Sequence, residues 1–211
     1  LAAVMVVFHH AQNDAYLDSM IRVPIKNVYA GTIPAYSIMA VTDASRVNGI
    51  RYSHVTKPST TWYWRYLMNG PTPILQSQTG YGFFGCVPAK YLTGTPANGE
   101  IWGAKPGQWE IEKGYPGGFM IDGVENSTNK IAFGVLAPWI AQVYGKVGSA
   151  VTKDTTSASV DVYYGAPTSG ATATGQTITG VHCPWDAIAS GKWVGVTRDF
   201  NGYPTLNARE C

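Results

Sequence analysis

From Ile33 to Ile131 the chain reads as strand, turn, strand, and that rhythm limits what it can fold into. Runs such as IPAYSIMAVT, IRYSHVTKPS and WYWRYLMNGP alternate apolar or aromatic residues with small polar ones. Every few residues a Gly, Pro or Asn breaks the run. A period of two sends successive side chains to opposite faces of a pleated strand. The expectation is an all-β protein, with an antiparallel barrel or sandwich over residues 29–144, a smaller β unit over 145–211 and an extended arm over 1–28.

The turns can be placed by residue type. Asn48-Gly49, between TDASRV and IRYSHV, is a strong hairpin signal, because both central positions of a type I′ turn need positive φ. Asn98-Gly99 and Lys105-Pro106-Gly107 mark further turns, and Phe119–Val124 with Lys130–Leu136 reads as a hairpin over residues 125–129. Trp62, Trp64 and Tyr66 recur at period two, which sets three large rings on one side of a strand. Near Tyr144 the composition becomes small, polar and Gly/Ser/Thr-rich. A second set of alternations comes after it, Val160, Val162, Tyr164 and then Thr177, Thr179, Val181. About 60 residues are marginal for a domain standing alone, so this piece is expected to lean on the first unit or on another subunit.

The first residues lack clean alternation. Leu1–Phe8 is apolar but far short of the ~20 residues that a spanning helix requires, and it has no basic flank of the kind a signal peptide carries. Two readings stay open for the segment after Phe8: a short helix near Ala11–Met20, or an extended arm ordered by a neighbouring subunit. On the second reading Val6, Val7, Phe8, Tyr16 and Met20 are the subunit-contact candidates.

Charge is scarce. Asp, Glu, Lys and Arg make up 13% of the chain, against ~25% in an average soluble domain. A surface so weakly charged is poorly protected against association, which favours burial in an assembly over a polar-coated monomer. Lys and Arg are scattered singly, so no basic run points to nucleic acid, and nothing points to a membrane. Cys86, Cys183 and Cys211 are too few and too widely spaced for a disulfide framework or a metal knuckle, although a Cys183–Cys211 bridge remains open.

Candidate chemistry is thin. In VHCPWD, His182 and Cys183 are adjacent on a strand and face opposite ways, so the imidazole cannot readily activate the thiol. His9-His10 lacks partner ligands, and Asp14 with Asp18 is too small a set for calcium. No metal and no cofactor is expected. Glycosidase chemistry would need two carboxyl groups across a cleft. Glu110 and Glu112 qualify by spacing, but Lys105 and Lys113 beside them make an ion-paired face the simpler account. Exposed Trp62, Trp64, Trp102 and Trp109 could stack sugar rings; seven Trp in a β protein more often serve as core and contact anchors.

The blocks IPAYSIMAVT, VTKPS, YLMNGP and GTPANGEIWGAKPGQWEIEKGYPGGFMIDG, the strand STNKIAF and the terminal ASGKWVGVTRDFNGYPTLNAREC resemble a group of tailed-bacteriophage structural proteins. The resemblance runs from about Ile33 onward; Trp193, Val196, Arg198, Gly202 and Cys211 carry its C-terminal part. It implies a non-enzymatic virion component, foremost a head decoration or cement protein whose partner is the major capsid protein or another virion protein. A homo-oligomer is expected, in trimeric or other cyclic packing. A part of the tail or fibre that recognises host glycans is the alternative the resemblance leaves open.

Overall fold

The computed structural model describes residues 20–115, 118–136, 143–164, 170–184, 186–199 and 203–209. These residues form strands in two sheets and no helix, so the all-β expectation holds. The first sheet contains β1 (Met20–Asn27), β2 (Ile38–Val47), β3 (Ile50–Thr56), β4 (Tyr66–Asn69), β5 (Thr79–Lys90), β6 (Ile101–Ala104), β7 (Ile111–Lys113), β8 (Phe119–Asn126) and β9 (Ile131–Leu136). Their order is β1-β3-β2-β4-β5-β9-β8-β6-β7, and β1 also pairs with β5. Five of the strands therefore close a circuit, and the other four extend from β5. The second sheet, β10 (Val143–Val147), β11 (Thr155–Tyr164), β12 (Thr172–Cys183), β13 (Trp193–Arg198) and β14 (Pro204–Arg209), closes into a barrel ordered β10-β11-β12-β14-β13.

Local chemistry explains much of this. Asn48 and Gly49 sit at φ 51° and 81° and join β2 to β3, as the dipeptide required. Gly99 and Gly107 are also left-handed, and β8 and β9 form the expected hairpin. With β4 on the edge opposite β1, β5 serves two further neighbours in turn. Its first half pairs with β1 and its second with β9, and the change falls at Gly85, where φ is 95°. A side chain there would strain the backbone.

The sheets enclose three apolar clusters. One holds Ile25, Ile33, Met39, Val55 and Leu67, inside the five-strand circuit. A second holds Val87, Trp102, Ile111, Phe119 and Leu136, under the extension. The third fills the barrel with Val147, Val160, Val162, Ile178, Val194 and Leu206.

Three expectations need correction. Residues 20–27, assigned to the arm, are β1 of the chain's own first sheet. Met20 pairs in register with Gly85, and Ile25 is fully buried. The strand was hidden because its parallel pairing with β3 is non-local and Pro24 breaks its pattern. Val6, Val7, Phe8 and Tyr16, most of the segment read as a helix or an arm, and Cys211 lie outside the described residues. Next, Trp62 and Trp64 precede β4 and do not share a strand face with Tyr66. Last, Thr177 and Thr179 do not face the barrel core with Val181. Gln176 and Ile178 do, because Gly180 at φ 68° shifts the register before Val181.

The smaller unit does lean on the larger. Thr61 and Thr177 form an isolated bridge, in which the Trp62 N–H donates to the Thr177 carbonyl at 3.1 Å and the Thr177 N–H to the Thr60 carbonyl at 2.9 Å. Trp62, from the first unit, belongs to the barrel's apolar cluster.

Candidate functional site

The aromatic platform does not assemble. Trp62, Trp102 and Trp109 are 4%, 1% and 8% exposed, leaving no ring face for a sugar. Trp109 packs edge-on against Tyr29 at 5.1 Å, and Trp102 against Tyr91 at 6.1 Å while its indole N–H donates to Glu100 Oε2 at 2.9 Å. Large rings remove so much apolar surface from water that a folding chain spends them on cores first. Of the four, only Trp64 is half-exposed, and one face of it is covered by the Arg198 guanidinium, 5.0 Å from the ring centroid.

The acids do not pair across a cleft either. Glu112 is bonded to Lys105 at 2.6 Å, as anticipated, but Lys113 pairs with Glu100, and Glu110 instead accepts the Trp109 N–H at 3.2 Å. Glu100 also accepts from Trp102 and from the Ala97 N–H. The Lys113 bond, then these two, hold its carboxyl down at about 2. Cys183 is buried in the barrel while His182 faces outward, so the pair is split between faces, as strand geometry requires. Among the described residues no cluster of His, Cys, Asp and Glu could hold a metal ion.

A different site forms where the two units meet. It is a cleft of about 780 Å3, bounded by β2, β3, the segment before β4, Phe84 of β5 and the end of β13. Four arginines reach it from four places in the chain. Arg46 and Arg51 flank the Asn48-Gly49 turn and lie directly opposite each other across the hairpin. Arg65 precedes β4, and Arg198 ends β13 over the Trp64 ring. Burial, and after it the Arg51 charge, lowers the Arg65 guanidinium's affinity for its proton; burial does the same at Arg198.

Among the described residues no ion pair engages Arg46, Arg51 or Arg65. The acid in the cleft wall is Asp43, whose Oδ1 accepts the N–H of its neighbour Ala44 at 2.7 Å. Like charges set directly opposite on a strand pair are destabilising. A cleft that gathers Arg46, Arg51 and Arg65 beside a single acid is therefore a place where an anion lowers the free energy. No protein-family model, curated protein or solved structure matches the chain. The site must be read from its chemistry alone.

Sequence reasoning missed this cleft. Its arginines are spread from Arg46 to Arg198, with a gap of 133 positions between Arg65 and Arg198, so no local run announces them. The one local signal was an Arg on each side of a hairpin turn, R-V-N-G-I-R, which two-residue turn geometry sets face to face.

Outside the cleft the first sheet carries a second feature. Ile101, Met120, Val135 and Cys86 stand in one register row across β6, β8, β9 and β5. Their neighbours Trp102, Phe119, Leu136 and Val87 point into the core, so the row faces outward. Ile101 and Met120 are 39% and 41% exposed.

Proposed function

We propose that the protein is a non-enzymatic structural subunit of a tailed-bacteriophage particle, foremost a head decoration or cement protein that stabilises the shell through contacts with the major capsid protein and with its own copies. The row Ile101–Met120–Val135–Cys86 carries this reading. Contiguous outward apolar residues on a sheet, in a chain with so little charge, are what a subunit contact uses. Binding the assembled lattice and not free shell protein would stabilise it by mass action, summed over many sites. Localisation in the virion belongs to the same proposal.

The deciding experiment is copy number and position in purified particles. Many copies spread over the shell, and shells that become fragile to heat without them, support cement. A few copies at one vertex support a tail component, and absence from particles ends the proposal. Met120→Lys should abolish incorporation while the isolated protein stays folded, because the side chain is partly exposed.

A second reading, host-glycan recognition on a tail appendage, draws on the outside of the barrel. Tyr163 and Trp193 meet edge to face at 4.9 Å, with Lys146 over both rings and Tyr144 exposed nearby. These residues, and not the four Trp expected from sequence, would be the ones to alter. Loss of cell binding by a Tyr144→Ala variant that still enters particles would favour this reading.

A further inference from the structure

We propose that the cleft between the two units is a docking site for an extended acidic peptide, supplied by a neighbouring protein, which adds as a strand along the free edge of β2 and sets its carboxylates against Arg46, Arg51 and Arg65. The proposal stands apart from the subunit-contact reading. The apolar row lies on β5, β6, β8 and β9, and the cleft is lined chiefly by β2, with β3 and the segment before β4, so either can fail alone.

The first observation is an unpaired strand edge. β4 pairs with β2 only from Ile38 to Ala40, and the Val41 N–H donating to the Arg65 carbonyl at 3.0 Å continues that side by one bond. Beyond Val41, β2 runs on to Val47 with β3 as its strand partner and no strand on the other side among the described residues; Asp43 Oδ1 holds the Ala44 N–H on that side, and an added strand would take its place. Val41 to Arg46 line the cleft without a gap. A strand that presents one face to a cavity contributes alternate residues, so six in succession mean that its edge is presented as well. An open edge inside a concave site is the geometry by which peptides are captured as an added strand.

The second observation is charge. Arg46 and Arg51 are held opposite each other, Arg65 is set near Arg51, and the one acid, Asp43, accepts the Ala44 N–H. A guanidinium binds a carboxylate in a two-point fork, which favours an acidic partner. Thr42, Ser45 and Ser53 add polar groups to the wall. A single-stranded nucleic acid would instead need ring faces on which to stack bases. Here Trp64 is covered by Arg198 and meets Trp62 edge to face, and Phe84 is packed against two apolar clusters.

The test uses the whole chain and a synthetic peptide of about ten residues alternating Glu and Thr, a spacing that directs every carboxylate to one side of a strand. Calorimetry should show binding that weakens steeply as salt is raised. Arg46→Ser and Arg51→Ser should each weaken it about tenfold, the scale of one charge-assisted contact. Both positions are exposed, so the variants should fold, and a thermal melt checks that they do. The same peptide N-methylated at alternate backbone positions should bind at least about tenfold more weakly, since it cannot pair with an edge. Absence of binding by the unmodified peptide overturns the proposal. So does equal binding of the N-methylated peptide, or tighter binding of an oligothymidylate or an oligogalacturonate, which would assign the cleft to nucleic acid or to an acidic glycan.

Discussion

The side-chain amide of Gln176, in the barrel, donates to the hydroxyl of Tyr66, in the first sheet, at 3.2 Å. Both residues are buried, at 1% and 2% exposure, and burial raises the Tyr66 phenol well above its ordinary value. The same amide lies 3.4 Å from the Ser59 carbonyl. With Trp62 set into the barrel core beside them, and Trp62 and Tyr66 in edge contact at 6.0 Å, these groups make the junction that holds the arginine cleft in shape. Tyr66→Phe should therefore cost about 1–2 kcal/mol, the scale of a buried donor losing its better partner. Denaturant unfolding measures this.

Trp62→Ala should cost about 3–5 kcal/mol, because it opens a ring-sized cavity in the barrel core. Trp62→Phe should cost much less. The Trp62 indole N–H is buried without an acceptor, so removing it deletes an unsatisfied donor. Unfolding curves for the two variants, compared at the same denaturant, give the contrast.

Asn27 is fully buried at the end of β1, where it substitutes for absent backbone partners. Its Nδ2 reaches the carbonyls of Gly31, Ile74 and Leu75 at 2.8–3.0 Å, and its Oδ1 accepts the Tyr29 N–H at 2.9 Å. Asn27→Asp should destabilise by at least about 3 kcal/mol, since a carboxylate would face three acceptors in a dry site. The loss should shrink in acid as the introduced carboxyl takes up a proton. Thermal melts at neutral and low pH check both parts.

Gly134→Ala should prevent folding or reduce it severely. A Cβ at Gly134 would lie 2.1 Å from the Met120 carbonyl oxygen, and that atom belongs to a strand backbone that cannot step aside. Gly123→Ala, in the neighbouring strand with open space around it, should be tolerated. Soluble yield and circular dichroism separate the two.

Glu100 sets a pH dependence. Its folded carboxyl is held near 2 against an ordinary 4.5, so the folded state keeps the charge to lower pH than the unfolded state does. The stability this supplies is present above about 4.5 and is lost as pH falls toward 2. Glu100→Gln should flatten that part of the acid-unfolding curve, and the effect should be small because the group is exposed to solvent. Melting temperatures across the interval give the comparison.

What could be read from the chain was whatever depends on near neighbours. Asn48-Gly49 announced the β2–β3 turn, and the alternation over Phe119–Val124 announced β8. Strand β1 escaped because it pairs with residues some 28 positions or more away. Trp62, Trp102 and Trp109 stayed candidates for a sugar platform beside the commoner core reading, because a ring looks the same in sequence whether it meets a core or a ligand.

By itself the sequence determined the all-β class and the tight turns, since these depend on backbone preference and side-chain period over a few residues. Tertiary structure alone decided which rings are buried, which outward residues stand in one row, and that Arg46, Arg51, Arg65 and Arg198 share a cleft. The reason is that strand pairing joins distant segments, and a charge has no address in space until its sheet has closed.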